Sequence, residues 1–349
     1  MNNKNSRIKE FIYKHVFEHP SDIALLVSNE FGFSRQNALR YISREVRDGK
    51  IIKVGRTNST RYFEVGGKKI EFNCEINKNL AEDQVWSKYI KPMTSGFNDN
   101  IKRIIAYGFT EIYNNAIDHS GGTIINTNVE IKNNNIEISI IDNGIGIFKK
   151  IHQALKLDSV REAILHLSKG KFTTDPSRHS GEGIFFTSRI FTKFSILSGD
   201  LFYSFENQEW LLSHEKEERF GDGTLIKMVL NLDATHTSKD IMDKYADVDF
   251  DIGFWKTIVA VSLSSSPDDP HVSRSQAKRL MMGLDKFKTV VLDFKNVSSV
   301  GQAFVDEIFR VFRNNFPEIS IEYINANQEV DEMIKRGLTQ NKLSGNFGT

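Results

Sequence analysis

Cysteine is almost absent, with Cys74 alone among 349 residues. A single thiol excludes an internal disulfide and a cysteine-built zinc cluster, and it fits a reducing cytosol. Proline is scarce too, at six residues, and 39% hydrophobic against 26% charged residues excludes a long disordered chain. No apolar run reaches bilayer length, and the opening MNNKNSRIKE lacks the apolar core of a signal peptide, so a cytoplasmic protein with no membrane partner is expected. Charge of one sign is missing as well, since 46 Lys and Arg face 45 Asp and Glu. A global electrostatic case for nucleic acid is therefore lacking, and local charge must decide. Neither a GxxxxGK[ST] loop nor a GxGxxG following a strand within a βαβ unit occurs, which removes the two commonest phosphate cradles.

What is present falls into three regions, about 1–65, 66–235 and 236–349, so a multidomain α+β and α/β architecture is expected. In the first, an amphipathic segment from Arg7 to about Phe17 precedes Pro20, Ser21 and Asp22 offer a cap for IALLVSNEF, and Ser34 can cap RQNALRYISREVRDG. IIKVGRTNSTRYFEV then alternates around a polar turn as a hairpin does. Three helices and a hairpin predict a winged helix-turn-helix. The net charge of this region is about +5, against a whole chain near zero. Arg40, Arg44 and Arg47 recur at helical spacing on the third helix, behind Arg35, Gln36 and Asn37 in its first turn, with Lys53 and Arg56 in the hairpin. A recognition helix needs that order, because its first turn meets base edges while flanking cations meet phosphates. Double-stranded DNA is the expected partner; a solvated face of a protein-docking module is the alternative.

The middle region carries the chemistry. YGFTEIYNNAIDHSGG, within a helix from about Asp99, stacks Glu111, Asn115 and Asp118 or His119 on one side and Ile105, Phe109, Ile112 and Ala116 on another. Two adjacent asparagines in mid-helix cost about half a kcal/mol each relative to alanine, so something should offset them. TIINTNVEIKNNNIEISIIDNG reads as a hairpin turning at 133–135 and ending in Asp142, followed at once by Gly144 and Gly146. A carboxylate only accepts hydrogen bonds, which suits the exocyclic amine of adenine, and glycines let backbone approach a flat ligand. HSGEGIFF places Gly181 and Gly183 at the start of a helix, where free N–H groups favour phosphate. The parts describe a nucleotide site in an α/β sandwich.

EIYNNAIDH, DNGIG, SGEGI and DGTLIKM, in that order, resemble the boxes of the GHKL ATPase superfamily, which includes gyrase-type topoisomerases, heat-shock chaperones, mismatch-repair proteins, histidine kinases and anti-sigma serine kinases. The resemblance spans roughly residues 80–232 and implies the Bergerat fold with ATP and Mg²⁺ as cofactors. By it, Asn115 would be the Mg²⁺ ligand, with Asp118 and His119 beside it, and Asp142 would hold adenine. Gly144, Gly146, Gly181 and Gly183 would line the base and phosphate path, and Thr224 would support the adenine end. Residues 148–180 would form the ATP lid, with Lys169, Lys171, Arg178 or His179 as phosphate contacts. Glu111, one turn before Asn115, would activate the group attacking the γ-phosphate. Histidine kinases usually lack this acid, and no phosphoacceptor helix is evident here. Hydrolysis and anti-sigma-type serine/threonine kinase activity on a separate partner both use such a glutamate.

Beyond about His236, strands and helices alternate, which implies parallel strands covered by helices. TVVLDFKNVSSVGQAFVDEIFRVF resembles the core of STAS domains, over about residues 250–340. STAS antagonists are phosphorylated on a serine where this chain reads Gly301, Gln302 and Ala303, with Ser298 and Ser299 just upstream. The module is therefore expected to dock a protein partner or sense a signal. Phe304, Phe309 and Phe312 offer either a partner surface or core, and aromatic residues at helical spacing are more often core. The whole reads as an ATP-driven switch in which lid closure alters packing against the STAS-like domain or a second protomer of a homodimer, and so changes how the winged helix holds DNA.

Overall fold

The structure is a computed structural model that describes residues 2–16, 19–54, 60–64, 68–132, 134–173, 180–206, 209–212, 223–246, 253–264 and 273–344. The chain divides into two compact units, one of residues 1–143, 191–193 and 225–235, the other of 144–190, 194–224 and 236–349.

The first unit opens with three helices, α1 (Asn2–His15), α2 (Ile23–Phe31) and α3 (Arg35–Arg47). Ile8, Ile12, Val16, Ile23, Val27, Ala38 and Ile42 close a small core among them. Polar groups fix the pairing of α1 and α3. Glu45 is 2% exposed; Lys9 meets its carboxylate at 2.7 Å, and the Tyr13 hydroxyl donates to it as well. Burial opposes the charge on Glu45, but the hydrogen bonds from Lys9 and Tyr13 outweigh it and hold the carboxyl below its usual range. Ser34 caps α3, accepting from the Asn37 N–H at 3.3 Å. Asp22 corrects one expectation: it stands at the N-cap of α2 without capping it, and its carboxylate pairs instead with His19. A hairpin follows, with β1 (Ile51–Val54) antiparallel to β2 (Arg61–Glu64).

The chain continues through β3 (Lys68–Glu75), α4 (Glu82–Val85) with its π and 3-10 extensions, α5 (Asp99–His119), β4 (Ile124–Lys132) and β5 (Asn135–Asp142). The second unit adds α6 (Ile147–Leu155), α7 (Glu162–Lys169), α8 (Gly183–Ile190) and the antiparallel strands β6 (Lys193–Ser198), β7 (Leu201–Ser204) and β8 (Glu209–Leu212). β9 (Thr224–Asn231) carries the chain back to the first unit, where strands run in the order β3-β4-β5-β9. Alternate residues of β4 and β5, from Ile125 to Ile131 and from Ile136 to Ile140, are buried on one face, the period-two pattern of a sheet packed on one side.

The β1–β2 hairpin is tied to the end of this sheet where β5 begins. Arg61 of β2 donates to the Leu232 carbonyl at 2.7 Å and pairs with Asp233 at 3.1 Å. The same Asp233 accepts from the Asn134 amide at 2.7 Å, and Asn134 takes a left-handed φ of 60°, which an asparagine tolerates. Asn133 lies outside the described residues.

The second unit ends with α9 (Ser238–Asp243), β10 (Lys256–Ala260), α10 (Arg274–Met281), β11 (Thr289–Asp293), α11 (Gln302–Asp306) running through a π turn into α12 (Arg313–Asn315), β12 (Ser320–Ile324) and α13 (Gln328–Ser344). β10, β11 and β12 are parallel, as the alternation implies. Phe304 and Phe309 are core, and Phe312 packs on Phe316.

Candidate nucleotide-binding site

The site is built first on α5. Asn98 starts this 21-residue helix by accepting from the Ile101 N–H at 2.9 Å. Ile105, Phe109, Ile112 and Ala116 are buried, as their spacing predicts, together with Ile101, Ile104 and Tyr113. α5 packs on β5 through this stripe. At Gly108 the helix lets the Phe191 ring come so close that a β-carbon would collide with it. With one face fixed, the other has no rotational freedom. It carries Glu111 and Asn115, both half-buried, then His119, half-buried, and Asp118, exposed. Glu111, Asp118 and His119 each have a noncovalent partner. The half-buried Asn115 amide has none among the described residues. An amide oxygen held on a rigid helix and left unpaired is a donor that a hard divalent cation accepts.

Asp142 ends β5 opposite Ile125 and is 6% exposed. Sequence reasoning missed its neighbour. The Asn143 side-chain oxygen Oδ1 accepts from the Thr123 and Ile124 N–H groups at 2.8 and 3.0 Å, and its side-chain Nδ2 donates to the Thr123 hydroxyl at 2.9 Å. Asn143 thus clamps the end of β5 to the start of β4 and fixes where Asp142 sits; an Asn before Gly-x-Gly was its one signal in the sequence.

The glycine boxes lie in the second unit. Gly146, at φ 87°, leads into α6, whose first N–H, that of Ile147, donates to the buried Thr224 hydroxyl at 3.0 Å. Thr224 therefore pins the α6 entry. Gly181, at φ 74°, lies so close to the Phe172 carbonyl that any β-carbon would clash, and Gly183 begins α8. Glu182 between them is pushed up by burial, against the pull of Lys171 and Ser180. Arg178 and His179 lie outside the described residues.

The two lid lysines have acceptors within the fold. Lys169, at the end of α7, is 2% exposed, and its amine donates to the Arg279 and Met282 carbonyls at 3.2 and 2.9 Å. Two acceptors match the two N–H bonds of a neutral amine. Burial brings its pKa down to about 7, with Glu162 acting the other way. Since the unfolded chain takes up this proton first, the contribution of Lys169 to stability is full above the ordinary lysine pKa and falls as pH drops towards about 7. Lys171 is likewise engaged, donating to the Lys286 carbonyl at 3.0 Å.

A buried cation escaped sequence reasoning. Arg189 of α8 lies 3.4 Å from the Phe185 ring centroid, donates to the Tyr245 hydroxyl at 3.1 Å, to the Phe185 carbonyl at 3.0 Å and, more weakly, to the Ser168 carbonyl at 3.4 Å. Its only signal was an arginine among the phenylalanines of GIFFTSRIF.

Residues 102–234 match the family described as histidine kinase-, DNA gyrase B- and HSP90-like ATPase. This segment is a GHKL-type ATPase domain. The match runs from α5 through both glycine boxes to the end of β9, and a domain of this type implies ATP binding and an ATPase or kinase type of activity. Residues 276–331, from α10 into α13, match a STAS-like domain of unknown function. No curated protein sequence matches the chain. Behind the GHKL domain, then, stands a STAS-like domain, and among the described residues no helix is long and apolar enough to cross a membrane.

Proposed function

We propose that the chain is a magnesium-dependent ATPase whose nucleotide state controls DNA engagement by its amino-terminal helices. The Asn115 amide, without a partner among the described residues and within a segment that matches the GHKL ATPases, carries this reading. Asn115 holds Mg²⁺, which supplies charge neutralisation at the triphosphate. Asp142 accepts the exocyclic amine of adenine. Thr224 keeps the base end of the site in shape through its bond to the α6 entry, and Gly144 and Gly146 give the base a side-chain-free wall. Backbone N–H groups near Gly181 and Gly183 meet phosphate, with Lys171 and His179 as the cationic contacts, while Asp118 and His119 border the metal end. Glu111 accepts the proton of the attacking water, so a carboxylate becomes a carboxylic acid as the γ-phosphoryl group leaves ADP.

Glu111→Gln keeps the shape and removes the base. Phosphate release should fall about 100-fold or more, with ATP affinity nearly unchanged. An unaltered rate in a colorimetric phosphate assay would remove Glu111 from the chemistry. The serine/threonine kinase reading predicts a different product: label from γ-labelled ATP on a separate STAS-type protein instead of free phosphate.

For DNA, Arg35, Gln36, Arg40 and Arg44 are exposed along α3, Asn37 is half-buried at its start and Lys53 is exposed on β1. Arg56 lies outside the described residues. Phosphate contacts by such cations make affinity salt-dependent. The double variant Arg40→Glu, Arg44→Glu should weaken duplex binding by about 100-fold near physiological salt and flatten the salt slope by about two. Fluorescence anisotropy across a salt series tests this, and an unchanged slope would turn α3 into a protein-docking face.

A further inference from the structure

Lys171 sits in an unusual place for a lysine from a segment expected to contact phosphate. Its ammonium lies 4.7 Å from the Trp255 ring centroid, 4.8 Å from Phe287 and 5.5 Å from Phe254, and donates to the Lys286 carbonyl at 3.0 Å. Three aromatic faces and a carbonyl around one ammonium form a cation cage. Its walls come from the strand entry before β10 and the loop before β11, more than eighty residues further along the chain. The charged groups facing the ammonium are Glu182, which favours its charge, and Lys286, which opposes it.

The backbone at this point is held in two uncommon conformations in succession. Gly170 has φ 81°, and a β-carbon there would stand 2.6 Å from the Phe254 ring. Lys171 has φ 55°, a left-handed conformation that lysine rarely adopts without external support. Upstream, the same module grips α7. The Thr257 hydroxyl donates to the Lys169 carbonyl at 2.8 Å, the Lys169 amine is spent on carbonyls at the end of α10, and Arg279 faces Asp158 and Glu162 at 3.6 and 3.8 Å. The described stretch from α7 to Lys171 is therefore docked against this module at Lys169 and again at Lys171.

We propose that the aromatic cage of Phe254, Trp255 and Phe287 is an autoinhibitory latch: it holds Lys171 back from the triphosphate, so that ATP and the carboxy-terminal region compete for one ammonium. This rests on the ATP site proposed above and adds its regulation. Whatever displaces the cage residues raises ATP affinity, and ATP binding loosens the carboxy-terminal region from α7, by the reciprocity of linked equilibria. Exchange is feasible because charge-assisted hydrogen bonds to a phosphate can replace the cation–π contacts of the cage.

The test is calorimetric titration of the full-length protein with ATP and Mg²⁺. Trp255→Leu should tighten ATP binding about tenfold, since the competing state then holds the ammonium with one aromatic face fewer. Lys171→Met should weaken binding about fivefold and abolish the effect of Trp255→Leu in the double variant. A second measurement does not depend on the cage variants folding. In a Trp86→Phe, Trp210→Phe background, emission from Trp255 should change on adding ATP, and the change should vanish with Lys171→Met. Tightening that persists without Lys171, or emission indifferent to saturating ATP, overturns the latch while leaving the ATP site intact. If the wild-type protein binds no ATP at all, the site reading fails and takes the latch with it.

Discussion

Asp142→Asn is expected to lower ATP affinity by about 100-fold or more, the largest effect of any single substitution on binding. The side chain is 6% exposed at the end of β5, and Asn143 fixes the backbone beside it, so the variant cannot swing to a new position at low cost. An asparagine has nearly the same volume but replaces one acceptor oxygen with a donor and removes the charge. Against the exocyclic amine of adenine, as proposed for this site, the amide would offer either a clash of donors or an uncharged acceptor. The loss should be equal for ATP and ADP, because the group acts on the base and not on the phosphates. Titration of wild type and variant with both nucleotides, alongside thermal unfolding to show an unchanged fold, measures it. Matching isotherms for the two proteins would mean that Asp142 does not meet the base.

The second large effect is on stability. Arg189→Ala should destabilise the second unit by about 3 kcal/mol, summing a charged hydrogen-bond set and a cation–π contact. For a unit of this size that is a fall of roughly 6–12 °C in Tm. The guanidinium touches the Phe185 ring at 3.4 Å, bonds the Tyr245 hydroxyl and caps the Phe185 carbonyl, with a longer bond to Ser168, so removing it leaves polar groups of α7, α8 and the segment after α9 unpaired together. No carboxylate pairs with it among these contacts, and burial draws its pKa down. Lysine should not rescue, because a point charge cannot reach these acceptors with the geometry of a planar fork. Differential scanning calorimetry decides: a shift below about 2 °C would mean that water replaces the guanidinium without loss.

What could be read from the sequence was what short-range periodicity encodes. The buried stripe Ile105, Phe109, Ile112, Ala116 follows from the helical repeat, Ser34 from cap chemistry, and the parallel order of β10, β11 and β12 from alternation of strand and helix. The places of Asp142 at a strand end and of Gly183 at a helix start were legible because both follow from local pattern. β3 went unread for a physical reason: only every second residue is even half-buried, so no strong apolar alternation marks it. The π turns at Trp86–Ile90 and Glu307–Phe312 look like ordinary helix in sequence. The partners of Lys169 and Lys171 went unread for a deeper one. A basic residue before a glycine box carries no mark of the acceptors it meets in the fold, Arg279, Met282 and Lys286, which lie more than a hundred positions away. Local pattern carries no information about a partner at that separation.

The tie between Arg61, Asp233 and Asn134 has a mechanical corollary. Asn135 and Asp142 are the two ends of β5, about 23 Å apart at 3.3 Å per residue, and the amino-terminal helices are fastened at the former. A hydrogen-bonded strand resists stretching, so the two ends of β5 are mechanically linked. The α1–α3 bundle is thus fastened, through its hairpin, to the end of β5 opposite Asp142.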